Sequence, residues 1–175
     1  MTHEQLKALK KSGVRRIHCN IETGKGFFGQ ICTTHTYEDK INAIKLAQSE
    51  GLEVCSGGIF GLGETWPDRI DLAFELRELG IKSVPINILS AVKGTPLENQ
   101  KPLSIDEARK IAALFRFILP EAAIRMAGGR GLLPDKGRSV FLSGANACIT
   151  GDLLTTAGIG VDEDLSMLKE IGFTY

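Results

Sequence analysis

The chain has 175 residues, 43% hydrophobic and 24% charged, with 21 basic against 21 acidic side chains and no formal net charge. That is enough chain for one domain with a real hydrophobic core. The charge balance excludes a general nucleic-acid or anionic-membrane surface, both of which want a basic excess.

The N-terminal "MTHEQLKALKKSG" reads as a capped helix and not as a signal peptide. No apolar run approaches the roughly 18 residues that read as a membrane span. Gly13 stops the first helix, and "VRRIHCNIE" reads as a first strand ending in Asn20 and Glu22. Alternation puts those two on one face and Cys19 on the other. Thr36 with Asp39 then caps a helix whose apolar positions are Tyr37, Ile41, Ile44 and Ala47. Gly51 closes it and "LEVCSGGIF" reads as a second strand, with glycines directly after Cys55.

The same grammar repeats. Thr65 with Asp68 caps a helix with Pro67 in its first turn and Ile70, Ala73 and Phe74 as its apolar face. Gly80 ends it, and "SVPINIL" is a third strand carrying Asn87. Ser104 with Glu107 opens a helix through Ala108, Ile111, Ala112 and Phe115, closed by Pro120. "AAIRMAGG" and "SVFLSGANACITG" read as two more strands, and "DLSMLKEIGF" as a last helix. Five strands alternating with helices mean α/β architecture with parallel pairing. Polar or glycine-rich sequence at every strand end is the habit of a (β/α)8 TIM-type barrel. A full barrel needs eight strands and about 250 residues, so a single-domain partial barrel is expected over residues 1–175.

Four cysteines occur, at Cys19, Cys32, Cys55 and Cys148, without a Cys-x-x-Cys pair. No disulfide framework is expected, and the compartment reads as reducing, hence cytoplasmic. Cys55 reads two ways: a small buried hydrophobe, as most free cysteines are, or a ligand at a strand end where Gly57 and Gly58 open the backbone to a cofactor. Arg125, inside an apolar strand, is either a rim ion pair or an arginine aimed into the lumen. Asn20, Glu22 and Asn87 supply donors and acceptors suited to a ribose, an amino-acid headgroup or a urea-like ring, or they serve strand-end turns. Thr155 and Thr156 in "LLTTAG", after the last strand, read as a simple loop with a helix-capping hydroxyl. His35, Cys19, Cys32 and Cys148 read as structural.

Taken in order, "HCNIET", "ICTTHTYED", "EVCSGGIFGLGET", "SVPINIL", "KGTPL", "IRMAGGR" and "SGANACITGDLLTTAG" resemble the biotin synthases, radical S-adenosylmethionine enzymes. The resemblance covers nearly the whole chain. It implies strands four to eight of the family barrel and conversion of dethiobiotin to biotin by sulfur insertion. The implied cofactors are S-adenosylmethionine, a [4Fe-4S] cluster and an auxiliary [2Fe-2S] or related cluster. By the same resemblance, Cys55 and Arg125 are auxiliary-cluster ligands. Asn20, Glu22, Lys40 and Ile59 contact S-adenosylmethionine, and Asn20, Asn87, Thr155 and Thr156 hold dethiobiotin. A flavodoxin or ferredoxin electron donor and a homodimer in the full-length protein are also implied.

The sequence departs from the family in three ways. Glu22 stands where many members have Asp, and Lys40 where an arginine often stands, which keeps the charge but loses the bidentate fork. The Cys-x-x-x-Cys-x-x-Cys of the radical-initiating cluster does not occur in the sequence. The chain is therefore expected to be the C-terminal portion of such an enzyme, inactive alone, with exposed sheet edges that favour aggregation or domain-swapped pairing. Other readings are a different radical enzyme of similar build, a phosphate-binding barrel enzyme using "AGG" and "SGAN", or a non-catalytic remnant.

Overall fold

The computed structural model describes residues 1–152 and 158–174. The elements in chain order are α1 (His3–Lys11), β1 (Arg16–His18), α2 (Lys25–Ile31), α3 (Tyr37–Ser49), β2 (Glu53–Cys55) and β3 (Gly58–Phe60). There follow α4 (Trp66–Glu78), β4 (Ser83–Ile88), α5 (Ile105–Ile118), β5 (Ala123–Met126), α6 (Arg138–Leu142), β6 (Ala147–Cys148) and α7 (Val161–Glu170). All pairings are parallel, in the order β1-β2-β4-β5-β6, with β3 alongside β4. Sequential parallel neighbours with helices between them make an open segment of a (β/α) barrel. Among the described residues β1 pairs only with β2, and β6 only with β5, so both sides of the sheet end in open edges.

The helices form because their ends are fixed. Thr2, Thr36, Thr65 and Ser104 each make a reciprocal capping box with the residue three positions on. Gly13, Gly51 and Gly80 follow the ends of α1, α3 and α4 at φ of 93°, 71° and 66°. The outward row of the sheet packs on the helices: Val84, Ile86, Ile124 and Met126 are fully buried. α3 buries Tyr37, Ile41, Ile44 and Ala47, and α5 buries Ala108, Ile111, Ala112 and Phe115. Phe60 of β3 meets Phe115 edge-to-face at 5.5 Å and 87°, joining strand to helix.

Four expectations change. The second strand is broken at Ser56–Gly57 into β2 and β3. The break is held by the segment that follows β1: Asn20 Oδ1 accepts from Gly57 N at 3.0 Å, and Gly57 O accepts from both Ile21 N and Glu22 N. The expected strand through "SVFL" is helix α6, because Asp135 accepts from Gly137 N and Ser139 N and caps the turn; the strand itself is only Ala147–Cys148.

The buried face of α4 runs through Arg69, Leu72, Ala73 and Leu76, while Phe74 is 38% exposed beneath Arg77. Arg69 is drawn inward by Glu64, 2.8 Å away, which turns the helix face from the apolar pattern. Helix α2 was not foreseen: Gly26 and Gly29 lower its propensity. Tertiary packing holds it, with Phe28 buried against Tyr37 and Gly24 set against the backbone of Asp68.

Candidate cofactor and substrate site

Strand pairing aligns the inner face of the sheet. His18 stands opposite Cys55, Cys55 opposite Ser83, and Pro85 opposite Arg125. Alternation turns the intervening residues outward, so His18, Cys55, Ser83 and Arg125 converge on one inner surface. Ser83 Oγ donates to Cys55 Sγ at 3.4 Å, Arg125 Nη1 donates to the same sulfur at 3.7 Å, and Arg125 Nη2 donates to Ser83 Oγ at 2.8 Å. His18, the register partner of Cys55 on β1, flanks the same residue from the opposite strand. Burial pushes the Cys55 thiol up, but the influence of His18, the Ser83 hydrogen bond and the Arg125 charge outweigh it and leave the thiol below its ordinary range. Cys55 raises the His18 imidazole in return, against the effect of burial.

One step toward the strand ends lies a second group. Asn20 Nδ2 reaches Glu22 Oε2 at 3.4 Å. Glu22 adopts φ 79°, a left-handed conformation uncommon outside glycine, and bridges Gly58. Burial raises its carboxyl above the usual range, against the pull of Lys40 from α3. Ile59 and Asn87 are register partners on β3 and β4. Asn87 Nδ2 donates to Gly58 O at 3.1 Å, and its Oδ1 accepts from Gly128 N at 3.0 Å. Asn20, Glu22, Ile59 and Asn87 thus gather around the strand break, with Lys40 acting on Glu22. Thr155 and Thr156 lie outside the described residues.

Gly57 and Gly58 do not clear space for a cofactor. A Cβ on Gly57 would lie 2.0 Å from Pro85 O, and one on Gly58 would lie 2.5 Å from Glu22 O. The room is already taken by neighbouring backbone, and the glycines permit close strand approach. Cys19 packs toward the outer core, where burial raises its thiol. Cys32 sits in the α2–α3 loop and Cys148 in β6.

Sequence reasoning passed over His18 and Ser83. Both were findable: His18 precedes Asn20 by two positions, and Ser83 precedes Asn87 by four, so each shares its partner's face. A cavity of about 360 Å³ opens beyond β5, with Gly129, Arg130, Lys136 and Glu163 in its wall. Both cations there are neutralised, Arg130 by Asp164 at 2.5 Å and Lys136 by Glu163.

Residues 85–174 match the model of the Biotin and Thiamin Synthesis associated domain. The chain belongs to that family. Residues 1–76 match the model of the Radical SAM superfamily. The biotin synthase of Brachyspira hyodysenteriae is 58% identical over 99% of this chain and 52% of its own length. That of Clostridium botulinum (strain Loch Maree) is 62% identical over 99% of this chain and 54% of its own. The chain spans about half the length of these curated relatives.

Among solved structures, methylornithine synthase superposes with TM-score 0.81 at 18% identity, covering 99% of this chain and 56% of that one. HydG, a maturase of the [FeFe]-hydrogenase, gives TM-score 0.79 at 17% identity, covering 99% and 42%. At such identity the likeness shows the fold alone.

Proposed function

We propose that this chain forms the Cys55- and Arg125-bearing part of a biotin synthase, which converts dethiobiotin to biotin by inserting sulfur. Identity of 58–62% to biotin synthases across 99% of the chain carries the reading. The inner surface supports it. A lone thiol set below its ordinary range, with an arginine nitrogen 3.7 Å away, is a donor set suited to one edge of an iron–sulfur cluster. Among the described residues no group of three or more His, Cys, Asp or Glu side chains is placed to hold a metal ion, so the remaining ligands would come from elsewhere.

In this reading Cys55 and Arg125 hold the auxiliary cluster, and Ser83 fixes the Arg125 guanidinium. Asn20, Glu22, Lys40 and Ile59 face S-adenosylmethionine. Asn20 and Asn87, with Thr155 and Thr156, receive dethiobiotin. When bound, the clusters and S-adenosylmethionine supply one-electron reduction, a carbon radical for hydrogen abstraction, and the sulfur atom. The chain's own part is to hold and orient. Glu22, half-buried, accepts hydrogen bonds from hydroxyl or amino groups, and Lys40 faces a carboxylate as a point charge. An electron donor of the flavodoxin or ferredoxin class and a homodimer of the complete protein belong to the same proposal, as does a cytoplasmic location. No helix among the described residues is long and apolar enough to cross a membrane.

The phosphate-binding alternative is disfavoured by the cavity beyond β5, whose two cations are already paired with carboxylates. The test is complementation. Joined in frame to the N-terminal portion of a full-length biotin synthase, the chain is expected to restore growth of a biotin-requiring bacterium on dethiobiotin. Cys55→Ala in the same fusion abolishes growth. Failure of the unmutated fusion beside a working full-length relative overturns the reading.

A further inference from the structure

The turn between β3 and α4 is held in place by side chains. Gly61 and Gly63 adopt φ of 93° and 108°, so the backbone passes twice through conformations that other residues rarely take. The Glu64 carboxylate braces it, accepting from Gly61 N at 3.0 Å and Leu62 N at 2.7 Å. Arg69 Nε, 2.8 Å away, fixes that carboxylate, and Arg69 Nη1 reaches Glu107 of α5 at 3.3 Å. The Leu62 side chain is buried.

The Leu62 carbonyl is held from a different β/α unit. Gln100, in the segment between β4 and α5, donates from Nε2 to Leu62 O at 3.0 Å. Gln100 N itself donates to Leu97 O at 3.1 Å, which sets the side chain's origin. A Cβ on Gly63 would lie 3.0 Å from the same Nε2, so the amide fits because that position is bare.

The turn begins two residues after Ile59. Ile59 is half-buried between the buried Gly58 and Phe60, and its register partner is Asn87. The position of the turn therefore governs how the end of β3 presents Ile59 to the inner surface.

We propose that Gln100 is a positioning residue for S-adenosylmethionine: its amide fixes the β3–α4 turn, and the turn sets where Ile59 meets the cofactor. The inference rests on the reading of Ile59 as a cofactor contact. Without the amide, the Leu62 carbonyl loses that donor and the two glycines are freer to move. Asn87 is anchored separately, by Gly58 O and Gly128 N, so the dethiobiotin side does not depend on Gln100.

The experiment uses the fusion described above, reconstituted with iron and sulfide. Gln100→Met keeps the reach and loses the donor, and Gln100→Glu sets a carboxylate oxygen against Leu62 O. Equilibrium dialysis gives Kd for S-adenosylmethionine, steady-state assays give kcat and both KM values, and hydrogen exchange over residues 59–63 reads the turn. Gln100→Met is expected to raise Kd and KM for S-adenosylmethionine about three- to tenfold, and Gln100→Glu at least as much. The KM for dethiobiotin and kcat should move less than about twofold, and exchange at Leu62 and Gly63 should quicken. Lys101→Ala, at the exposed next position, should change none of these. An unmoved Kd for S-adenosylmethionine in both variants, or an equal loss for both ligands, overturns the proposal alone. An unmutated fusion that neither binds S-adenosylmethionine nor turns over overturns the biotin synthase reading, and this inference with it.

Discussion

Arg130 donates to Asp164 at 2.5 Å across 34 residues of sequence, and both side chains are at least 96% buried. The pair ties the turn after β5 to the first turn of α7. Among the described residues Arg130 Nε and Asp164 Oδ1 have no partner, so within them the bridge is incompletely satisfied. Removing one member leaves a buried charge and is expected to cost about 3–5 kcal/mol, whereas an apolar pair of similar volume is nearly neutral. Asp164→Ala should therefore lower the urea midpoint strongly, and Arg130→Met with Asp164→Leu should recover most of the loss. A double variant as unstable as the sum of its single variants would contradict this.

His18 carries a pH dependence of known sign. Its imidazole is raised above 6.5, chiefly by the neighbouring Cys55. A raised base stabilises the fold fully below its ordinary value, and that stabilisation is lost as pH rises through the folded value. His18 should thus make stability fall as pH rises from 6.5, with the lowered Cys55 thiol opposing it from the alkaline side, and both His18→Gln and Cys55→Ala should change the slope. Urea titrations from pH 5.5 to 8 give the slopes; an unchanged slope in both variants would exclude the pair as its source.

Glu22 gives a second window at lower pH. Burial raises its carboxyl above 4.5, so its contribution is greatest below 4.5 and is lost as pH climbs through the folded value. Glu22→Gln should match the parent near pH 4 and exceed it at pH 7. Lys40 pulls the same carboxyl down, so Lys40→Met should move the loss to higher pH. A Glu22→Gln variant less stable than the parent at pH 7 would show that the carboxylate is net stabilising.

Two glycines should respond oppositely to alanine. At Gly57 the new Cβ would press on Pro85 O at 2.0 Å and force β2 and β4 apart, a loss of about 1–3 kcal/mol. At Gly29, inside α2, nothing among the described residues lies within 4 Å of an added Cβ, and alanine should stabilise by about 0.5–1 kcal/mol. Thermal unfolding of the two variants checks both signs.

The parallel architecture was legible because its signals are local: capping pairs and helix-stopping glycines recur along the chain. The strand break at Ser56–Gly57 was not legible, because the bonds that hold it come from Asn20, Ile21 and Glu22, over thirty residues upstream. Helix α6 was misread because Val140 and Phe141 suit a strand equally well, and the Asp135 cap that decides the matter lies ahead of the apolar run. At the inner surface, Cys55, Arg125, Asn20, Glu22 and Asn87 stood out by residue type in their setting. His18 and Ser83 did not, since their meaning lies in register across strands.

Asn87 has a consequence for molecular recognition. Its oxygen is committed to Gly128 N and its nitrogen to Gly58 O, so the amide cannot turn over without setting donor against donor and acceptor against acceptor. What remains, one N–H and one lone pair, is offered with a polarity written by the backbone of two neighbouring segments. A visiting molecule meets a lock whose handedness was cut when the sheet assembled. Asn87→Asp, nearly identical in shape, would lose that handedness and turn a carboxylate oxygen against Gly58 O.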